Sequence, residues 1–419
     1  MKTVAIIGAG AAGCFCAAEL SRLAPDVAVT VFEAGDRPMA KLAITGGGRC
    51  NLTNDFEGIR SLSDAYPRGE RVMKRALKAF SQEDTIRWFT ERGVPCTLQE
   101  DHCWFPVSQD AMDIVRCLLR AMNGVDIRLS TPITQIAGQA GNDAPADKTT
   151  HDVTPDLDVT PDLIGGLKVN GEHFDYAVVS TGGMNKGASL FEGLGLEIVP
   201  PVPSLFTLNI PDKSLTALMG MVVDVSISIP GTAFKADGPL LITDWGISGP
   251  ATLKLSSYAA RYLADHQYKA TLAINWLDKN ENEVREMLQE SASNSPQKQI
   301  VNTPLLLQQR LWEHVVRKSG LRQNIRWAEL GSKGLNRLTA VLTQDTYPVS
   351  GKGKFKEEFV TAGGIGLSNI DLSTLESKQY PGLFFAGEVL DIDAITGGFN
   401  LQAAWSTAYV CARSIVQSL

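Results

Sequence analysis

Residues 1–33 constrain this chain more than any other stretch of its 419 residues. Thr3-Val-Ala-Ile-Ile7 is a short, β-branched apolar run, the pattern of a strand buried on both faces. It leads directly into Gly8-Ala-Gly-Ala-Ala-Gly13, a helical pattern from Ala11 to about Leu23, and a second apolar strand, Val27–Phe32, ending at Glu33. Strand, glycines, helix, strand and terminal acid in that order predict a phosphate-binding turn. Gly8 permits the tight strand-to-helix turn, Gly10 carries no Cβ to block the backbone, and Gly13 lets helix and strand pack closely. Ala11 and Ala12 then supply the free N–H groups of the helix start, where the dipole favours an anion.

Glu33, followed by Ala34, is placed to accept hydrogen bonds from an adenosine ribose, and its charge disfavours a 2′-phosphate. The expected ligand is therefore FAD or NAD rather than NADP. A signal peptide is the competing reading of Lys2 and the apolar run after it, with Ala11-Ala-Gly-Cys14 as a cleavage site. Cleavage there would destroy the glycine turn, so a folded strand is expected instead.

A second cofactor segment is expected at Lys41-Leu-Ala-Ile-Thr-Gly-Gly-Gly-Arg-Cys-Asn-Leu-Thr-Asn54. Consecutive glycines give backbone freedom and close approach. Lys41, Gly47, Gly48, Arg49, Cys50 and Asn51 are its candidate contacts, with Asn51 facing the reactive ring or pyrophosphate. His102 and Cys103 are weaker candidates for the active-site lining. A third segment is Phe174–Ser180, a strand entering Thr181-Gly182.

The fourth lies near the far end of the chain. The apolar strand Gly382-Leu-Phe-Phe-Ala386 delivers Gly387 and Glu388. Asp391 and Gly397-Gly398-Phe399-Asn400-Leu401 then open a final helix over about 401–416. An acid suits the ribityl hydroxyls of a flavin, and a helix start suits negative charge at the pyrimidine end of the reduced ring. This return to the first domain favours FAD over NAD.

Between these segments, helices are expected at Arg71–Phe80, Thr85–Arg92 (capped by Ser81–Asp84) and Ala111–Met122, with a strand at Val125–Leu129. The repeat Asp152-Val-Thr-Pro-Asp-Leu157, Asp158-Val-Thr-Pro-Asp-Leu163 marks 137–166 as an extended or flexible insertion. Pro200, Pro201 and Pro203 mark a crossover into antiparallel strands at Leu205–Ile210, Val222–Ile229 and Lys269–Trp276. A helix is expected from Ala251, and 280–345 reads as helical. The fold class is thus α/β: a Rossmann-like domain from 1–195 and 346–419, a β-rich insert at 196–279 and a helical cap at 280–345.

A net charge of −7 gives no global attraction to nucleic acid or anionic lipid. No apolar run is long enough to span a bilayer. Seven cysteines without C-x-x-C or other metal-ligand spacing fit a reduced, cytoplasmic protein with no metal site.

Several of these pieces recur together. Gly8–Gly13, Lys41–Asn54, Phe105-Pro-Val-Ser108, Gly246-Ile-Ser-Gly-Pro250, Thr361-Ala-Gly-Gly364, Phe385–Asp391 and Thr396–Leu401 appear in this order along nearly the whole chain. In this the chain resembles the bacterial aminoacetone oxidase family of flavoproteins, with which bile-acid 3-dehydro-Δ4,6-reductases are associated. The resemblance implies an FAD-binding domain built from both chain ends, a β-barrel-like insert, a helical third domain, and FAD contacts at the Gly8–Gly13 loop, Glu33, Gly46–Asn51, Gly387-Glu388 and Gly397–Leu401.

Only one complete fingerprint is present, so no second domain for NADH or NADPH is expected. Hydride transfer between FAD and a small-molecule substrate follows as the expected activity, in a pocket between the FAD domain and the insert. The flavin would be reset by oxygen or by transient binding of NADH or NADPH. No acid–base residue declares itself. The alternatives are an RNA-modifying flavoprotein, which acidity and the lack of a Lys/Arg-rich tail disfavour, and a non-catalytic FAD sensor or scaffold. Lys352–Lys356 is the best basic cluster this reading identifies.

Overall fold

The computed structural model describes residues 1–138, 166–184, 188–191, 194–353 and 360–419. The repeated Asp-Val-Thr-Pro-Asp-Leu segment, and most of the insertion around it, lies outside these residues. The chain divides into two compact units, Met1–Pro201 with Thr361–Leu419, and Val202–Val360.

The first unit is built on a five-stranded parallel sheet. Its strands are β1 (Thr3–Ile7), β2 (Ala28–Phe32), β3 (Asp126–Arg128), β4 (Tyr176–Val179) and β5 (Leu383–Phe385). Their order is β5–β4–β1–β2–β3. The N-terminal stretch is therefore the central strand, with Val4, Ala5 and Ile6 wholly buried, as its continuous apolar run requires. Register matters most here. Ile7 pairs with Phe32 and with Val179, and Val179 pairs with Phe385. Four strand ends from distant parts of the chain finish level, so the residues that follow them emerge along one edge.

Helix α1 (Ala11–Leu23) lies against this sheet and is buried along most of its length. Small residues on its first two turns permit close contact. Phe15 anchors it among Trp88, Phe80 and Trp405, with centroids 4.8, 5.3 and 5.5 Å away. The C-terminal helix, Phe399–Gln417, packs against α1 and starts two residues before the expected Leu401. The cap expected before Thr85 forms at Ser81: its hydroxyl accepts from Asp84 N at 3.2 Å, and Asp84 Oδ2 accepts from Ser81 N at 2.8 Å. The helix it caps runs Gln82–Glu91.

The prolines at 200, 201 and 203 lie in a strand, Ile198–Ser204, rather than a bare crossover. It pairs with Val360–Ile365 in a two-stranded sheet. An edge strand tolerates proline because one side of it needs no ladder bonds.

The second unit carries a seven-stranded antiparallel sheet. Val222–Ser228 and Ala270–Asn275 fall where alternation predicts. The Leu205–Ile210 expectation shrinks to Leu208–Asn209, and Lys235–Ile242 was not anticipated, because Gly238-Pro239 breaks its pattern. The two outer strands, Asp345–Val349 and Gly351–Lys352, are separated by Ser350 alone. Seven strands laid flat would put the edges roughly 29 Å apart, whereas one intervening residue spans about 7 Å. The sheet therefore curls on itself, barrel-like. Helices Glu281–Asn294, Gln309–Lys318 and Gly331–Gln344 share one apolar core with it, centred on Trp276, Trp312 and Trp327. Among the described residues, no helix is long and apolar enough to cross a membrane.

Candidate functional site

The level strand ends of the first unit place four of the expected segments on one edge: Gly8 after β1, Glu33 after β2, Thr181-Gly182 after β4, and Gly387-Glu388 after β5. Ligands of open parallel sheets bind at this carboxyl edge.

At the β1–α1 turn the glycines divide by cause. Gly8 has φ +105°, and a Cβ there would lie 2.6 Å from Ser180 O. A Cβ on Gly13 would lie 1.9 Å from Gly8 O and 2.6 Å from Ser180 Oγ. Both positions are dictated by the protein itself. Gly10 is different: its φ is −81°, and an added Cβ would meet no atom within 4 Å. Nothing in the fold requires glycine there. Gly10 is also the N-cap of α1 and makes no side-chain cap, so the first helical N–H groups, from Ala11 onward, have no capping acceptor. That is a cradle suited to a pyrophosphate.

Glu33 ends β2 as expected, and its carboxylate already serves the backbone. Oε2 accepts from Ala9 N at 2.9 Å and Oε1 from Gly35 N at 2.8 Å. Each oxygen has a further lone pair to offer. Ala34 beside it is exposed.

The Lys41–Asn54 segment turns through left-handed backbone at Gly46, Gly47 and Gly48 (φ 57°, 69° and 85°) and again at Cys50 (φ 61°). Glycine supplies the first three at no steric cost. Arg49 is exposed, stacks over Phe105 at 4.4 Å and donates to Gly46 O at 3.2 Å. Cys50 is wholly buried, and burial pushes its thiol up to about 12, so it holds no thiolate at neutral pH. With its amide oriented so that oxygen meets donor and nitrogen meets acceptor, Asn51 bridges the backbone, donating to Thr53 O at 3.1 Å and accepting from Gly398 N at 3.2 Å. The structure thus gives Asn51 a loop-tying task rather than an unengaged amide.

That bridge joins the two chain ends. Asn54 Nδ2 donates to Gly397 O at 3.0 Å. Gly397 and Gly398 have φ 126° and 87°, and a Cβ on Gly398 would lie 2.5 Å from Thr53 O. Phe399 is core: it packs edge-on against Phe56 at 5.0 Å, and its carbonyl accepts from Tyr66 OH at 2.9 Å. Asn400 closes its own loop, accepting from Ala394 N at 2.9 Å and donating to Ala394 O at 3.0 Å. Leu401 is half-buried within the helix. Gly387 reaches α1, since a Cβ there would sit 3.0 Å from Ala12 Cβ.

Glu388 accepts from Thr361 N at 2.7 Å. Burial holds its carboxyl above the usual value, while the charge of Lys41 and the N–H groups of Thr361 and Gly183 pull it back down. Gly182 lies beside it with φ 77°, and Thr181 is exposed. Asp391 is half-buried, its N–H bonded to Ile365 O at 3.0 Å.

Three features lay beyond sequence reasoning. Asp393 is fully buried and paired bidentately with Arg68. Gln402, also fully buried, accepts from Thr53 Oγ1 at 2.6 Å and Thr85 Oγ1 at 2.9 Å. Trp104, paired with Thr53 across the ladder, has a buried Nε1 without a hydrogen-bond acceptor. Of the weaker pair, Cys103 is buried with its thiol raised to about 11, while His102 is half-exposed on Asp55 at 3.0 Å. His102, Asp55 and Glu57 have ligand-type atoms within 4.8 Å of one another.

A family described as HI0933-like protein Rossmann domain matches residues 2–414. A ribosomal RNA dihydrouridine synthase of Haemophilus influenzae is 32% identical over 98% of this chain and 97% of its own length. The Escherichia coli protein of the same name is 30% identical over 98% and 97%. A 3-dehydro-bile acid delta(4,6)-reductase of Clostridium scindens is 25% identical over the full length of both.

Proposed function

The chain belongs to the HI0933-like family, and from that premise we propose that it is an FAD-dependent reductase whose substrate is a uridine of ribosomal RNA. The observation that carries this reading is its full-length identity of 32% and 30% with two ribosomal RNA dihydrouridine synthases, against 25% for the bile-acid enzyme. The names share one chemistry. Dihydrouridine arises when hydrogen adds across a C=C bond conjugated with a carbonyl, and a 3-oxo Δ4,6 system presents the same kind of bond. Reduction therefore replaces the oxidase expectation. Overall acidity does not weigh against RNA, because a net charge of −7 describes the whole chain and not the face that meets a partner.

The residues fit FAD. Gly10 leaves the N–H groups of Ala11 and Ala12 open to the pyrophosphate, and Glu33 is placed for the adenosine ribose. Gly397–Leu401 opens a 19-residue helix whose dipole favours negative charge at the ring. When bound, FAD supplies the hydride. The chain's own groups position it: Asn51 and Asn54 fasten the glycine loop to the helix start, and Glu388 pins the ends of the strands that flank it. NADH or NADPH serves as the diffusible donor in this reading.

The test is a spectrum followed by a product assay. Protein purified with FAD is expected to bleach under nitrogen on adding NADH or NADPH, and to colour again when unmodified rRNA transcript is added. Nuclease digestion and mass spectrometry then reveal a nucleoside with two added hydrogens. Bleaching that only a conjugated dienone reverses, with unaltered rRNA, would move the substrate to the small-molecule class. A protein that takes up no FAD would end the reading altogether.

A further inference from the structure

We propose that the exposed face of helix Glu70–Ala79 holds the phosphate backbone of the RNA that the neighbouring cofactor site acts on. The inference rests on the reading of an RNA substrate given above. Within this ten-residue helix, Arg71, Lys74, Arg75 and Lys78 recur at the i, i+3, i+4 and i+7 spacing that lines one face. All four are exposed, while Val72, Met73 and Ala76 turn inward. None of the four has an acidic partner among the described residues; Arg75 donates to Ser373 Oγ at 2.5 Å. Arg60, also exposed and without an acidic partner among the described residues, precedes them.

In a chain of net charge −7, four unneutralised cations on one stripe form a local positive surface. Some surface arginines elsewhere on this unit are neutralised, Arg87 by Asp84, Arg116 by Asp110 and Asp113, Arg128 by Asp126 and Glu172. Others, such as Arg37, Arg120 and Arg413, are exposed singly, so what sets the stripe apart is four such cations on one helix face. The stripe runs roughly 10 Å, the rise of about three nucleotides of one strand.

Its position is as informative as its charge. The segment leading into the helix is clamped to the segment that opens the C-terminal helix. Gly69 abuts Ile392, Arg68 pairs with Asp393, Ile395 N donates to Ala65 O at 2.9 Å, and Tyr66 OH donates to Phe399 O at 2.9 Å. The stripe therefore begins within about one turn of the residues clamped to the segment that opens the C-terminal helix. A base must leave its stack to be reduced in a protein site, and holding the flanking phosphates fixes the strand while it does so. Phosphate contacts of this kind position without reading sequence.

The experiment is filter binding of the FAD-loaded protein to unmodified rRNA transcript across a salt series, with dihydrouridine formation measured in parallel. R71A/K74A/R75A/K78A is expected to bind at least about tenfold more weakly. Its log Kd against log salt should flatten by up to about 3 units, from roughly 0.7 per single-strand phosphate contact. FAD content and bleaching by NADH or NADPH should not change. R71K/R75K, which keeps the charge, should bind as the wild type does. K213A/K235A/K298A/K333A removes four exposed cations from the second unit and should leave the salt slope unchanged; an equal loss there would reduce the effect to net charge and overturn the proposal. Should the fourfold alanine variant lose FAD, K74A/K78A decides by its slope.

Wild-type-like binding and slope in the stripe variants, with dihydrouridine still formed, would overturn the surface and leave the proposed function standing. Failure of the wild type to bind or reduce rRNA would overturn both. Tighter binding to anionic vesicles than to rRNA would reassign the stripe to a lipid and overturn the proposal.

Discussion

Gly10 and Gly13 stand three positions apart and are glycine for opposite reasons. Gly13→Ala drives a Cβ to 1.9 Å from Gly8 O, and the fold is expected to lose about 3 kcal/mol or more, read as a lowered Tm. Gly10→Ala meets no protein atom within 4 Å. It should cost under about 1 kcal/mol as an N-cap change yet release FAD about tenfold more readily, measured by flavin fluorescence on dilution. A parallel loss of stability in both would mean that Gly10 serves packing and not a ligand. Both glycines were legible from residue spacing because the fingerprint encodes their separate tasks. Asn51 and Asn400 were not legible in the same way. An amide in a loop has the same appearance in sequence whether it meets a ligand or the loop's own backbone, and here Asn400 spends both ends on Ala394.

Segments held together over long sequence distance were the hardest to read. Arg68 and Asp393 are 325 residues apart, and neither sits in a periodic pattern that announces the other. Asp393 is fully buried, so Asp393→Ala strands a guanidinium against it and should cost about 3–5 kcal/mol, measured by urea unfolding. It should also lower FAD retention, because the pair clamps the segment that opens the C-terminal helix. Normal FAD retention in a destabilised Asp393→Ala would separate that clamp from the cofactor. The Gly46–Gly48 turn was legible as backbone freedom. Gly47→Ala, with φ 69° and no steric neighbour, should cost about 1–2 kcal/mol from conformation alone. The strand Lys235–Ile242 escaped notice because Gly238 and Pro239 interrupt its alternation; its pairing with Val222–Ser228, from Val222 with Leu241 to Ser228 with Lys235, identifies it.

Across the whole molecule, the parallel sheet and the return of the chain to it were legible, since each strand is an apolar run with its own glycine turn. The second unit was legible as strands followed by helices but not as one core, because shared packing leaves no local mark. Its buried polar centre illustrates this. His314 Nε2 lies 2.9 Å from Tyr347 OH, which donates to Asp345 Oδ2 at 2.7 Å. Trp276 Nε1 also donates to Asp345 Oδ2 at 2.9 Å, and the Lys318 ammonium forms an ion pair with Asp345 Oδ1. Burial lowers the His314 pKa below its ordinary 6.5, against the pull of Asp345. The unfolded chain therefore takes up a proton below pH 6.5 that the folded chain refuses, and stability falls as pH drops through that value towards the folded pKa. H314Q should lose that part of the pH slope in urea titrations. An unchanged slope would place the titrating group elsewhere.

The building of the first unit from both ends of the chain also sets an order of events during synthesis. Residues 1–33 emerge from the ribosome first, but β5 and the C-terminal helix that complete their sheet and cradle arrive more than 350 residues later. At about 5–20 residues per second, the nascent first unit waits on the order of tens of seconds with β4 lacking its outer neighbour, β5. The interval unit, Val202–Val360, has its own core and can close meanwhile. The outer side of β4 is thus a sheet edge open to chaperones until β5 arrives.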